Sequence, residues 1–91
     1  MRVAHIIANK LTAALRPTHL EVMDDSAKHA GHAGARAGGE SHFRLHIVSA
    51  EFSGKSRVAR QRLIYELLAE ELKGPVHALS MVTETPEEAD G

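Results

Sequence analysis

The stretch that decides the fold runs from Ser41 to Glu84 and reads SHFRLHIVSAEFSGKSRVARQRLIYELLAEELKGPVHALSMVTE. It opens on strict alternation, with Phe43, Leu45 and Ile47 on one side and His42, Arg44 and His46 on the other. That period predicts a half-buried strand over about 41–49. Phe52-Ser53-Gly54-Lys55-Ser56 then breaks the period. Over about 57–73 the spacing becomes helical: Ile64, Leu68 and Leu72 fall on one stripe beside Tyr65, Ser56 is positioned as N-cap, and Gly74-Pro75 ends the helix. From Val76 to Thr83 alternation returns, Leu79 and Met81 against Ala78 and Ser80. Two strands joined through a helix run parallel by a right-handed crossover.

Working outward, Val3, Ile6, Ile7, Leu11, Ala14 and Leu15 keep helical spacing until Arg16-Pro17 stops it, giving a first helix over about 2–15. His19 to Asp25 alternates, with Leu20 and Val22 facing one way and Glu21 and Met23 the other, as in a strand antiparallel to the next. Between the two strands, Ser26 to Glu40 contains four Gly and five Ala together with Lys28, His29, His32 and Arg36. So little apolar bulk reads as a mobile loop, long enough to be functional. The expectation is an α+β chain: a single αββαβ domain over 1–84, built on a three-stranded mixed sheet with both helices on one face. An acidic flexible tail over 85–91 is expected to fray. The sheet face bearing His42, Arg44 and His46 is expected to stay wet.

At 91 residues, 43% hydrophobic and 25% charged, the chain has room for one globular domain and no more. With two Phe, one Tyr and no Trp, the core must be aliphatic, and a stacking platform for single strands is ruled out. A net charge of −1 rules out wholesale polyanion binding and leaves only a local basic patch. The absence of cysteine excludes disulfides, a thiol nucleophile and any all-thiolate metal site built by this chain alone. No apolar run approaches the ~20 residues needed to span a bilayer, so no membrane contact and a cytoplasmic location are expected. Seven His stand out against this background.

Two constellations carry chemistry. Lys55, Arg57, Arg60 and Arg62 crowd the start of the second helix while Glu66, Glu70 and Glu71 lie towards its end. Each exposed cation there opposes the helix dipole by roughly 0.3–1 kcal/mol, whereas an anion is welcomed by the free N–H groups after Gly54 and Ser56. The competing reading is a solvated face with pairs such as Arg62 to Glu66. The second group is His29 and His32 on the loop with His77 at the start of the last strand. Imidazoles suit zinc, iron or copper. Yet His77 shares the phase of Leu79 and Met81, so a half-buried histidine bonded to backbone is the simpler reading from pattern alone. His42 and His46 read as strand-surface residues. Neither a nucleophile triad, a phosphate-binding glycine loop nor paired carboxylates stand out, and no enzymatic activity is expected.

The residues Leu20-Glu21-Val22, Asp24-Asp25-Ser26 with His29, and Glu40-Ser41-His42-Phe43 resemble the BolA family. The likeness continues through Phe52 with Gly54-Lys55-Ser56, Arg60-Gln61-Arg62 with Tyr65, His77-Ala78-Leu79 and Thr85-Pro86, in the family's order across nearly the whole chain. It departs from the family at Asp25, where Glu is usual, at Gln61, where His usually sits between the arginines, and in a longer Gly/Ala loop.

The resemblance implies the αββαβ fold related to the class II KH module. It also implies a monothiol glutaredoxin as partner and a [2Fe-2S] cluster shared with the glutaredoxin cysteine and glutathione. On that analogy His77 and a loop imidazole bind one iron: His29, four residues after Asp25 as in histidine-type members, with His32 as rival. The isolated chain, a monomer or weak homodimer, is then expected to hold no cluster. A non-enzymatic adaptor in iron–sulfur trafficking or iron and redox regulation is the function so implied. The alternative, from bacterial members that resemble transcription regulators, is DNA binding through Gly54, Lys55, Ser56, Arg57, Arg60 and Arg62.

Overall fold

The computed structural model of the chain describes residues 2–25 and 41–91. Helix α1 (Val3–Leu15) leads to strand β1 (His19–Asp24) and strand β2 (His42–Val48). A single 3-10 turn (Ala50–Phe52) precedes helix α2 (Arg57–Leu67) and the short helix α3 (Ala69–Lys73). Strand β3 (Ala78–Glu84) and helix α4 (Pro86–Asp90) complete the chain. β2 is central, antiparallel to β1 and parallel to β3, as the alternation and the crossover predicted.

Alternation places Phe43, Leu45 and Ile47 beneath the helices, where none is more than 2% exposed. α1 contributes Ile7, Leu11 and Leu15, and α2 contributes Ile64, followed by Leu68 and Val76. Phe52, fully buried, fills the corner between β2 and α2. Its position is fixed by Ser49, also fully buried. The Ser49 hydroxyl donates to the Leu15 carbonyl (2.6 Å) and accepts from Glu51 N (3.1 Å), while Ser49 N donates to Glu84 O (2.9 Å). One small polar residue thus joins the end of α1, the end of β3 and the turn, with no buried donor left over.

Four features depart from the sequence reading. The helix expected over 57–73 bends at Leu68, whose φ of −106° and ψ of 21° lie off helical values. Hydrogen bonds from Leu68 N to Ile64 O and from Leu72 N to Leu68 O, both 3.0 Å, carry the chain through the bend. Beyond it Glu71 is buried against Lys10 of α1, with Nζ 2.9 Å from Oε2. The last strand begins at Ala78 and not at Val76, because Val76 N still caps the helix end through Glu71 O (3.0 Å).

The tail expected to fray instead forms α4. Thr85 and Glu88 make a reciprocal capping box, Glu88 N to Thr85 Oγ1 at 3.2 Å and Thr85 N to Glu88 Oε1 at 2.9 Å, with Pro86 at the first turn. The fourth departure is Arg60, expected among the surface cations but only 5% exposed. Its guanidinium donates to Lys55 O (3.0 Å), Thr83 O (3.0 Å) and both Glu88 oxygens (2.6 and 3.2 Å), and lies 5.7 Å from the Phe52 ring centroid. Arg60 therefore ties α2, β3 and α4 together.

Arg60→Met would remove a donor from the Lys55 carbonyl and leave the buried Thr83 carbonyl short of one, at ~1–3 kcal/mol for the latter. Thermal unfolding is expected to show a loss of several degrees, accompanied by release of α4; an unchanged melting temperature would remove Arg60 from the structural role. A second expectation concerns acid. The Arg60 hydrogen bond, followed by the Thr85 N–H, lowers the Glu88 pKa from 4.5 to about 2. A carboxyl depressed on folding contributes stability in full above its unfolded value and loses it as pH falls through the folded one. The contribution of Glu88 should therefore fade between about 4.5 and about 2. Glu88→Gln should flatten the stability profile within that window when unfolding is followed by circular dichroism, and leave its shape at neutral pH unchanged.

Candidate functional site

The crossover sends the two sequence-predicted constellations to opposite ends of the sheet. Gly54 to Arg57 follow the C-terminal end of β2, whereas His77 precedes β3 at the N-terminal end of its parallel neighbour. β2 has seven residues, and at ~3.3 Å per residue its length separates the groups by about 20 Å.

At the His77 end, Ser41 O accepts from His77 N (2.7 Å) and from Ala78 N (3.2 Å), so the start of β3 is pinned to the residue just before β2. Asp25 N donates to His42 O (2.8 Å), closing the β1 side of the same edge. Asp25 also pairs with Arg44. The 26–40 segment therefore leaves the sheet at Asp25 and rejoins it at Ser41, the residue that receives the His77 backbone. A hollow beside this edge is lined by Asp25, His42, Phe43, Ala78 and Leu79 among others. His42 is half-buried, with Nδ1 2.9 Å from Ser41 Oγ.

His77 itself is exposed. The half-buried histidine suggested by its phase with Leu79 and Met81 is not what the fold makes, since the strand begins one residue later and Val76, 3% exposed, takes the inward place. An accessible imidazole anchored only by its own backbone can turn towards a ligand without disturbing the core. His29 and His32, the loop candidates, lie outside the described residues.

At the other end Ser56 caps α2 as expected, its Oγ accepting from Ala59 N (3.1 Å). Gly54 has φ +79°, and a β-carbon there would meet open space, so the turn and not crowding calls for glycine. Lys55, Arg57 and Arg62 are exposed, and no acidic residue occupies the first turn of α2. With Arg60 turned inward, the basic surface holds three cations and not four. Hydrogen bonding to Glu88 more than offsets burial and raises the Arg60 pKa further, keeping it a structural cation. Among the described residues no helix is long and apolar enough to cross a membrane.

A third group went unnoticed in the sequence. His19, Glu21 and His46 converge on the open face of the sheet. Its only linear signal is His19 and Glu21 two apart on one strand; the third member depends on the β1–β2 register, which alternation alone does not set.

Known proteins place these sites in context. The BolA-like protein family matches residues 11–88. The chain is 55% identical over 86 residues to SufE-like protein 1, chloroplastic/mitochondrial, of Arabidopsis thaliana, covering 90% of this chain and 23% of that protein. It is 44% identical over 91 residues to the DNA-binding transcriptional regulator BolA of Escherichia coli K12, covering all of this chain and 83% of that one. Among solved structures, BolA1 from Arabidopsis thaliana superposes with a TM-score of 0.87 at 46% identity, covering 97% of this chain and 96% of that one. The chain spans 23% of the length of SufE-like protein 1 and 51% of that of chloroplastic BOLA1 from Arabidopsis thaliana. These relatives are named as regulators or BolA-like proteins, or carry a BolA domain within a longer chain. With the family matched over most of its length and the fold shared, this chain belongs to the BolA-like family.

Proposed function

We propose that this chain is a non-enzymatic adaptor that binds a monothiol glutaredoxin and contributes histidine ligands to a [2Fe-2S] cluster shared with it. The observation that carries the reading is the position of His77. It is an exposed imidazole whose backbone is fixed to Ser41, where the segment containing His29 and His32 rejoins the sheet. Asp25 and Ser41, the residues that flank 26–40 in the sequence, are both held at the end of the sheet where His77 lies. Ligand chemistry agrees: with no cysteine, this chain offers no thiolate, and thiolates for the cluster must come from the partner and glutathione. When bound, such a cluster supplies one-electron chemistry at a potential raised by imidazole in place of thiolate. His77 holds one iron position, and His29 is the expected loop ligand ahead of His32.

A second reading rests on a separate observation. Lys55, Arg57 and Arg62 are exposed at a capped helix start, and the Escherichia coli relative is named a DNA-binding transcriptional regulator. Phosphate contacts there would make binding fall steeply with salt. Because the two surfaces lie at opposite ends of the sheet, the readings can be tested one at a time.

Co-expression with a monothiol glutaredoxin should give a coloured complex, while the chain purified alone stays colourless. His77→Ala should shift the visible circular dichroism of that complex and shorten cluster lifetime roughly tenfold or more, as for removal of a metal-site residue. The melting temperature of the free chain should hold, because an exposed side chain carries little packing. Lys55→Glu with Arg57→Glu should leave the cluster spectrum intact and lower any DNA affinity. Spectra unchanged by His77→Ala, or a coloured chain without its partner, would overturn the adaptor reading.

A further inference from the structure

We infer that the open face of the sheet carries a divalent-cation site made by His19, Glu21 and His46 and supported by Glu84, separate from the His77 edge. Register builds it. In the antiparallel β1–β2 ladder Glu21 stands opposite His46, and His19, two residues before Glu21, projects from the same face. Val48, the residue opposite His19, pairs across the parallel ladder with Glu84, which brings a second carboxylate to the face.

The geometry is that of a converging donor set. His19 Nε2 lies 3.3 Å from Glu21 Oε1, and His46 Nδ1 lies 3.9 Å from Glu21 Oε2. The two imidazole rings meet edge to face with centroids 5.1 Å apart. One donor atom from each of the three residues falls within 4.8 Å of the others. A tetrahedral ion with bonds of ~2.1 Å needs donors about 3.4 Å apart, a contraction that small rotations of solvent-facing side chains supply.

Glu84 supplies the observation that distinguishes a ligand set from casual surface pairing. Its Oε1 sits 2.6 Å from His46 Nε2. A carboxylate accepts, so the proton of this bond belongs to Nε2, and Nδ1 is the nitrogen left to ligate, on the side of Glu21. A carboxylate behind a histidine, fixing its tautomer and ring plane, is the usual second layer of metal-binding imidazoles. Two nitrogens and one carboxylate suit an ion of borderline softness, Zn²⁺ foremost, over Mg²⁺ or Ca²⁺. Three protein ligands leave a fourth position open. His19 and His46 also line a hollow together with Thr18, Val48, Pro86 and Ala89. Along β2 the site is four residues from His42, so about 13 Å of strand separates it from the His77 edge.

The test is calorimetric titration of the whole chain with Zn²⁺, read together with histidine-ring NMR. One ion per chain should move the His19 and His46 ring signals. Glu84→Gln should weaken binding roughly 10–100-fold. His19→Ala with His46→Ala should abolish it, Glu21→Gln should weaken it, and far-ultraviolet circular dichroism should show every variant folded. A variant lacking His29, His32 and His77 should bind as the parent does, which keeps this outcome independent of the cluster reading. The proposal fails if the chain shows no saturable Zn²⁺ binding, or if binding survives loss of His19 and His46 and vanishes with His29, His32 and His77.

Discussion

A parallel pair of strands cannot be closed by a tight turn, and the architecture of this chain follows from that constraint on β2 and β3. The connection must travel back along the sheet, and here α2 and α3 make the journey. Gly54 to Ser56 therefore follow the C-terminal end of β2, while His77, just before β3, lies by the N-terminal end of β2. Any partner that recognises the cations at the start of α2 meets a surface remote from the exposed imidazole. β1 pairs antiparallel with β2, so Asp25 at its end lies at the same end of the sheet as Ser41 and His77. Placement of the histidine edge is thus a property of topology more than of any single contact.

Two buried polar residues hold the connection in register. Ser49 bonds the end of α1, the end of β3 and the turn carrying Phe52. Arg60 does the same for α2, β3 and α4, its four donor contacts drawing on all three guanidinium nitrogens. Small domains with aliphatic cores have little apolar area to spare, so satisfied polar ties of this kind decide whether terminal elements stay docked. The inward turn of Arg60 also shows why a cluster of cations in sequence is a poor guide to surface charge. Lys55 precedes α2 and Arg57 opens it, so both stay in solvent at the helix start; Arg62, two residues before Ile64, points away from the buried stripe, whereas Arg60, one turn before Ile64, lies on it.

What was legible in the sequence was periodic. Phe43-Leu45-Ile47 alternation, the Ile7, Leu11 and Leu15 stripe and the Gly74-Pro75 stop gave element types, order and the parallel crossover. What was not legible depended on partners distant in sequence. The bend at Leu68 and the burial of Arg60 and Glu71 answer to α1, β3 and α4, and the His19, Glu21 and His46 group answers to register. The tail is the instructive miss: Thr85-Pro86 followed by Glu88 is a capping-box signature that its acidic composition obscured. The phase of Leu79 and Met81 does not extend to His77, because His77 lies before β3 and Val76 N still bonds to Glu71 O at the end of the preceding helix.

The proposed adaptor role requires imidazole from this chain to reach iron in the partnered state. Pulsed EPR of the reduced complex, prepared with ¹⁵N-histidine only in this chain, measures that directly. Strong ¹⁵N couplings from two histidines, one of them lost in His77→Ala, are the predicted result. A spectrum without histidine nitrogen coupling, or one that His77→Ala leaves unaltered, would contradict it.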